Sequence, residues 1–262
     1  MGIGERLEEK MDQLRSDHPR TFEIIEKTIH VVSIGIFGAL TLLSLTVFIT
    51  AVAKDFIFMQ SRVGFNIYEP GNLVGLYIGF LAYGVFCLTL FIPRMKHNLD
   101  WFMKFTHELS HTLVAILFFS KIREFVVKDR ECYVNYKAGL IGYVPTTLAP
   151  YCIPIYTLMI FPFRFAGDSH YMLFFDVLIA FTYAFHIHSF IKQTSFRQSD
   201  IRNCGPVLST AFISFVHLTM MSLILAIPRG GLVKAMSRVF CKYPGCFLNS
   251  PADWFHDIIH YF

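Results

Sequence analysis

Charge is the scarce ingredient of this chain. Asp, Glu, Lys and Arg together supply 16% of its 262 residues, whereas hydrophobic residues supply 54%. An ordinary soluble domain carries about 25% charged residues, so the composition excludes a water-soluble globule. An excess of one sign is lacking too. The 23 Lys and Arg exceed the 19 Asp and Glu by only four, too small a cationic load to imply a nucleic-acid partner. Cysteine is sparse: Cys87, Cys132, Cys152, Cys204, Cys241 and Cys246 are scattered, and Cys87, Cys152 and Cys204 fall in apolar stretches, which excludes the dense disulfide framework of a small secreted domain. No internal repeat, low-complexity run or cleavable signal peptide is evident. The start Met1-Gly2-Ile3-Gly4-Glu5-Arg6 lacks the Ser or Thr of a myristoylation site, so attachment to a membrane is expected to rest on spanning helices.

Apolar runs are abundant. About 20 mostly apolar residues cross a bilayer as a helix, and six stretches have that length: 30–53, 70–93, 99–120, 138–163, 170–191 and 203–228. The reading is an all-α polytopic membrane protein of about six transmembrane helices. Residues 1–29 form a leader, 30–98 two N-terminal spans, 99–228 a core of four spans, and 229–262 an interfacial tail. Adding Lys and Arg on alternating sides gives 13 on the side of the N-terminus and 10 on the other, five of those ten within 121–137. By the positive-inside rule both termini are expected in the cytoplasm, making this a multi-pass integral membrane protein.

Residues 5–27 read as a charged helix at the membrane face, with Leu7, Met11 and Leu14 as its apolar side. Within 121–137, Ile122, Glu124, Val126 and Lys128 alternate with Arg123, Phe125 and Val127. Cys132, Val134 and Tyr136 repeat the pattern after Asp129-Arg130, so a short membrane-associated β-hairpin is expected. Pro145, Pro150 and Pro154 remove backbone donors from the following span, and are expected to break it and turn some carbonyls towards a cavity or neighbouring helices.

Two of the six stretches are not purely apolar. In 99–120 the chain reads Phe105-Thr106-His107-Glu108-Leu109-Ser110-His111, a His-Glu-x-x-His pattern. On a helix His107 and His111 project from one face with the spacing a single Zn2+ needs, and Glu108 lies beside them, able to take a proton from zinc-bound water and pass it to a leaving amine. Such chemistry hydrolyses peptide bonds. Two imidazoles and a carboxylate at bilayer depth need compensation, and a metal provides it. The plainer alternative pairs Glu108 with Lys104, one turn earlier, and satisfies the histidines on backbone carbonyls.

His107-Glu108-Leu109-Ser110-His111 within a span, a β-like hairpin after it, and a following span that begins Ala138-Gly139-Leu140-Ile141-Gly142-Tyr143 together resemble the site-2 protease family of intramembrane zinc metalloproteases, over roughly residues 99–215. The resemblance implies a membrane-tethered protein substrate, cleavage in or near the lipid bilayer, an unwound substrate received by the hairpin as an added strand, and an Asp as third zinc ligand. The family's Asn-Pro…Leu-Asp-Gly motif, which carries that Asp, is absent. Asp176 and Asp200 compete for the role. Counting about 1.5 Å per residue from span starts puts His107 and His111 about 12 and 18 Å in and Asp176 about 9 Å in. That depth match, and the default functional reading of a carboxylate in a span, favour Asp176. Asp200, 93 residues after His107, matches the family's interval better.

His186, His188 and His217 are expected to bond neighbouring helices or to supply outer contacts. Cys241, Cys246, His256 and His260 do not match common zinc spacings, and Trp254, Phe255, Ile258, Ile259 and Phe262 read as an interfacial helix. A rival class is a polytopic transporter or proton-coupled channel with Glu108, Asp176, His186 and His217 as its relay. A further variant is an inactive protease homologue. Substrate identity and oligomeric state are not legible in the sequence.

Overall fold

The structure, a computed structural model, describes residues 13, 16–61, 73–128, 132–137, 139–166, 171–195 and 197–226. Its elements in chain order are α1 (Pro19–Ser61), α2 (Val74–Leu88, continued by a 3-10 turn Thr89–Phe91), α3 (Pro93–Leu117), β1 (Lys121–Val127), β2 (Cys132–Lys137), α4 (Leu140–Cys152), α5 (Ile155–Ala166), α6 (Met172–Gln193), α7 (Ser199–Cys204) and α8 (Pro206–Ala226). The chain is mainly helical, with one two-stranded antiparallel sheet in the 121–137 segment. Residues of the tail 229–262, with its Cys and His residues, and Leu7, Met11, Leu14 and Arg130 lie outside the described residues.

Among the described residues, four helical stretches are long and apolar enough to cross a membrane: Pro19–Thr46, Val74–Phe91, Met172–Gln193 and Pro206–Leu225. The broken pair α4 and α5 makes a fifth if counted as one span. The count differs from the expected six at the stretch 99–120. A helix forms there as α3, but Asp100, Lys104 and Glu108 put three charges into its last 18 residues, and it does not pass as an apolar span. The prolines also divide differently from expectation. Pro145 and Pro150 sit inside α4, and the break comes at Ile153-Pro154. Helix α1 runs without interruption from Pro19 through the apolar stretch.

By internal packing the chain divides into two units. One comprises Met1–Ala39, Leu88–Ile153 and Ile187–Ser214; the other comprises Leu40–Cys87, Pro154–His186 and Phe215–Phe262. In the first, α3 starts on Pro93, whose fixed φ suits the first helical position. It ends where the Phe119 and Ser120 amides bond the Ile116 and Ala115 carbonyls, with Phe119 at φ +54°, the left-handed turn that usually takes glycine. That turn sends the chain into β1, and both strands lie against α3. Gly142 lets α4 approach closely, because a Cβ there would fall 2.8 Å from Phe118 Cβ. The close approach sets the first half of α4 beside the last turns of α3.

In the second unit α2 meets α6 through Gly75 and Gly79, four residues apart. A Cβ on Gly75 would stand 2.7 Å from Asp176 Cβ, and one on Gly79 the same distance from Ala180 Cβ. Small residues at this spacing let apolar helices touch backbone to backbone. Thr157 and Thr182 share a hydrogen bond at 3.1 Å between α5 and α6, and Ser44 bonds Thr219 at the same distance.

Candidate metal centre

All parts of the site belong to the first unit. The helical spacing of α3 puts His107 and His111 on one face, with ring centroids 5.0 Å apart and the rings edge-on. The residue that meets them is Asp200, in the first turn of the short helix α7. Asp200 Oδ2 lies 3.8 Å from His107 Nε2 and 3.6 Å from His111 Nε2. The three donor atoms fall within 4.8 Å of one another, forming a cluster able to hold a metal ion among the described residues. Ligand atoms on the 2.0–2.2 Å arms of a zinc tetrahedron stand roughly 3.3–3.6 Å apart, close to the two distances from Asp200 to the histidine nitrogens.

The orientation of both rings supports the fit. His111 Nδ1 sits 2.8 Å from the Thr146 carbonyl oxygen, which only accepts, so Nδ1 carries the proton and Nε2 presents its lone pair. That carbonyl is available for a chemical reason. In a regular helix it would receive the N–H of residue 150, and residue 150 is a proline. His107 Nδ1 lies 3.1 Å from Gln193 Oε1 at the end of α6. Both imidazoles thus turn Nε2 towards Asp200.

Asp200 is held in turn by the Tyr151 hydroxyl, 2.9 Å from Oδ2 and also 2.6 Å from Gln198 Oε1. Burial alone would raise the Asp200 carboxyl, but the His107 and His111 rings and the Tyr151 hydroxyl gathered around it outweigh burial and hold the group well below the usual carboxylate range. It is therefore an anion at neutral pH. Tyr151, almost wholly buried, also packs edge-on to the His107 ring at 5.3 Å between centroids. Gly205, at φ +85°, ends α7 and reverses the chain into α8; a Cβ there would meet the His30 ring at 3.0 Å. Helix α7 packs against α4.

Glu108 is half-buried beside the two histidines and accepts the Val134 main-chain N–H from β2. Tyr136, two residues along the same strand, leans over the His111 ring at 5.8 Å between centroids and hydrogen-bonds Thr147 at 3.2 Å. Burial pushes its phenol up to about 12, so it stays protonated. The sheet therefore borders the glutamate as well as one of the two histidines.

The expected third ligand, Asp176, is not in this cluster. Its Oδ1 accepts Arg164 Nε at 2.7 Å and its Oδ2 accepts Arg164 Nη2 at 3.3 Å, with both side chains buried. The depth argument fails because it started α3 and α6 level with each other. Asp100 of α3 instead pairs with Lys192 and His107 with Gln193, so this part of α3 meets the last residues of α6, not its beginning. The carboxylate read as a functional group in a span is instead neutralised by Arg164. Nor do His186 and His217 join the cluster. Their rings pack 5.4 Å apart, and the Tyr183 hydroxyl lies 3.4 Å from His217 Nδ1.

Gln193, Tyr151 and Gln198 carried no sequence signal on their own. Thr146 had one, four residues before Pro150. Compared with known proteins, the chain matches no family model, no curated protein and no solved structure.

Proposed function

We propose that the chain is an intramembrane zinc metallopeptidase of the site-2 protease kind, with His107, His111 and Asp200 as metal ligands and Glu108 as general base. The observation that carries this reading is the convergence of two Nε2 lone pairs, each fixed by a bond on the far side of its ring, on one anionic carboxylate next to a glutamate. A bound zinc ion supplies the Lewis acidity that polarises water and the scissile carbonyl. Glu108 takes a proton as the water oxygen bonds to the carbonyl carbon, then gives it to the amine nitrogen as the carbon–nitrogen bond breaks. Asp200, fastened by Tyr151, keeps its negative charge towards the cation throughout.

On this reading the substrate is a membrane-tethered protein. The apolar helices stand in lipid, both termini face the cytoplasm, α3 completes a set of about six membrane helices, and the sheet of β1 and β2 lies at the membrane as a hairpin. The position of Val134 and Tyr136 beside Glu108 and His111 supports a role for β2 in presenting an extended substrate by strand pairing. The test is metal content and turnover together. The purified chain is expected to hold one zinc, to lose it when His107 and His111 are replaced by Ala, to keep it in Glu108→Gln, and to cleave a co-expressed tethered substrate only when Glu108 is present. A chain that holds no metal, or cleaves equally well as Glu108→Gln, refutes the reading.

A relay of protons is the second reading, favoured by the contact of His186 with His217 and Tyr183 among apolar helices. It predicts transport without stoichiometric metal, so the same zinc measurement separates the two.

A further inference from the structure

His107 is gripped from both sides by one continuous stretch of chain. Gln193, the last residue of α6, meets Nδ1, and Asp200, seven residues later, faces Nε2. His111 has the Thr146 main-chain carbonyl on its Nδ1, an acceptor that cannot turn round. A glutamine amide can. Inverted, it would present its NH2 to Nδ1, force the ring proton onto Nε2 and place a hydrogen where a metal must bind. In the observed orientation Oε1 is shared: Ser189, buried one helical turn earlier on α6, donates its hydroxyl to the same Gln193 Oε1 at 3.2 Å, so two groups converge on the amide oxygen. Lys192, the residue immediately before Gln193 on α6, is paired with Asp100, seven residues before His107 and on the same face of α3.

We propose that Gln193, oriented by Ser189, is a positioning residue that fixes His107 as the Nδ1-protonated tautomer and so aims its Nε2 lone pair at the point shared with His111 and Asp200. The inference rests on the metal-binding reading of the site. Outer partners of metal-bound histidines act through the basicity and orientation of the ring, and their loss typically costs about 10–100-fold in metal affinity.

The experiment measures Zn2+ affinity of the full chain in detergent by competition with a chelator, for wild type, Gln193→Leu, Gln193→Glu and Ser189→Ala, with thermal unfolding recorded on each. Gln193→Leu, which has no acceptor, is expected to bind zinc about 10–100-fold more weakly. Gln193→Glu has oxygens that only accept at neutral pH and is expected to restore affinity to the wild-type range. Ser189→Ala is expected to fall between them, since the amide loses its anchor but keeps its oxygen. Wild-type affinity in Gln193→Leu overturns the inference, as does an equal loss in Gln193→Leu and Gln193→Glu, because then the acceptor is irrelevant. A wild-type chain that holds no zinc overturns the metallopeptidase reading itself and takes the inference with it.

Discussion

Two aspartates, one in each unit, are brought close to cationic or cation-seeking groups in opposite ways. Asp176 shares two hydrogen bonds with an arginine, both groups almost fully buried. Asp200 keeps about a quarter of its side chain exposed and faces two imidazole nitrogens that stand beyond hydrogen-bonding distance. A guanidinium satisfies a carboxylate in charge and geometry alike, and such a pair is complete as it stands. Two imidazoles that turn nitrogen atoms towards it give the Asp200 cluster the donor set of a metal site, with no Arg or Lys among its three members. The difference teaches that the cost of a buried carboxylate marks a place that needs compensation and does not reveal which kind; only the partner does.

The comparison predicts function from one aspartate's surroundings and stability from the other's. The largest expected effect falls on turnover: Glu108→Gln should lower the cleavage rate by at least about 10²–10⁴-fold, the range general-base catalysis supplies, with zinc content and unfolding temperature unchanged. Asp176→Asn should do the reverse. It leaves Arg164 charged and unpaired among apolar helices, a loss of about 3–5 kcal/mol by analogy with other broken buried pairs, read as a lower unfolding midpoint, while the zinc that does bind remains at one per folded chain. Replacing both partners, Arg164→Met with Asp176→Leu, should recover most of that loss, because the pair's removal leaves no orphaned charge. If Asp176→Asn instead abolishes zinc binding without destabilising the chain, the two aspartates have been assigned the wrong way round.

Asp200→Asn should leave the fold in place and weaken zinc by more than about 100-fold, beyond what outer partners usually carry. Equilibrium dialysis against zinc decides it. The smallest effect is expected at Pro150→Ala. The restored N–H would share the Thr146 carbonyl with His111 Nδ1, and since a carbonyl accepts two bonds, the loss in zinc affinity should stay below about 10-fold. An unchanged affinity would mean that the proline serves α4 alone and that the carbonyl bonds His111 equally well inside a regular helix.

How much of this was legible beforehand depends on the range of the interactions involved. His107, Glu108 and His111 are local: four residues of helix bring the two rings to one face, so the pattern declares itself wherever α3 forms. The strand alternation in 122–136 is equally local, and the paired strands Lys121–Val127 and Cys132–Lys137 fall where that alternation placed them. Asp200 was visible as a candidate, but choosing it over Asp176 required knowing which end of α6 meets α3, and hydropathy carries no register between helices. The small residues Gly75 and Gly79 set the packing of α2 on α6, yet their spacing says nothing of what they touch. Gln193 and Tyr151 are polar residues at the ends or inside of apolar helices, indistinguishable in sequence from dozens of others.

Local sequence by itself therefore determined the helical, membrane-type composition, the His-Glu-x-x-His face and the sheet segment after it, because each depends on hydrophobic period and neighbours within a few residues. Tertiary structure alone decided which aspartate meets the histidines, which acceptors set their tautomers, and that Arg164 neutralises Asp176. Those outcomes depend on how far one helix slides along another. At 1.5 Å of rise per residue a slip of about two turns moves a carboxylate by about 11 Å, enough to exchange a metal-ligand role for an ion pair with no change in the sequence of either helix.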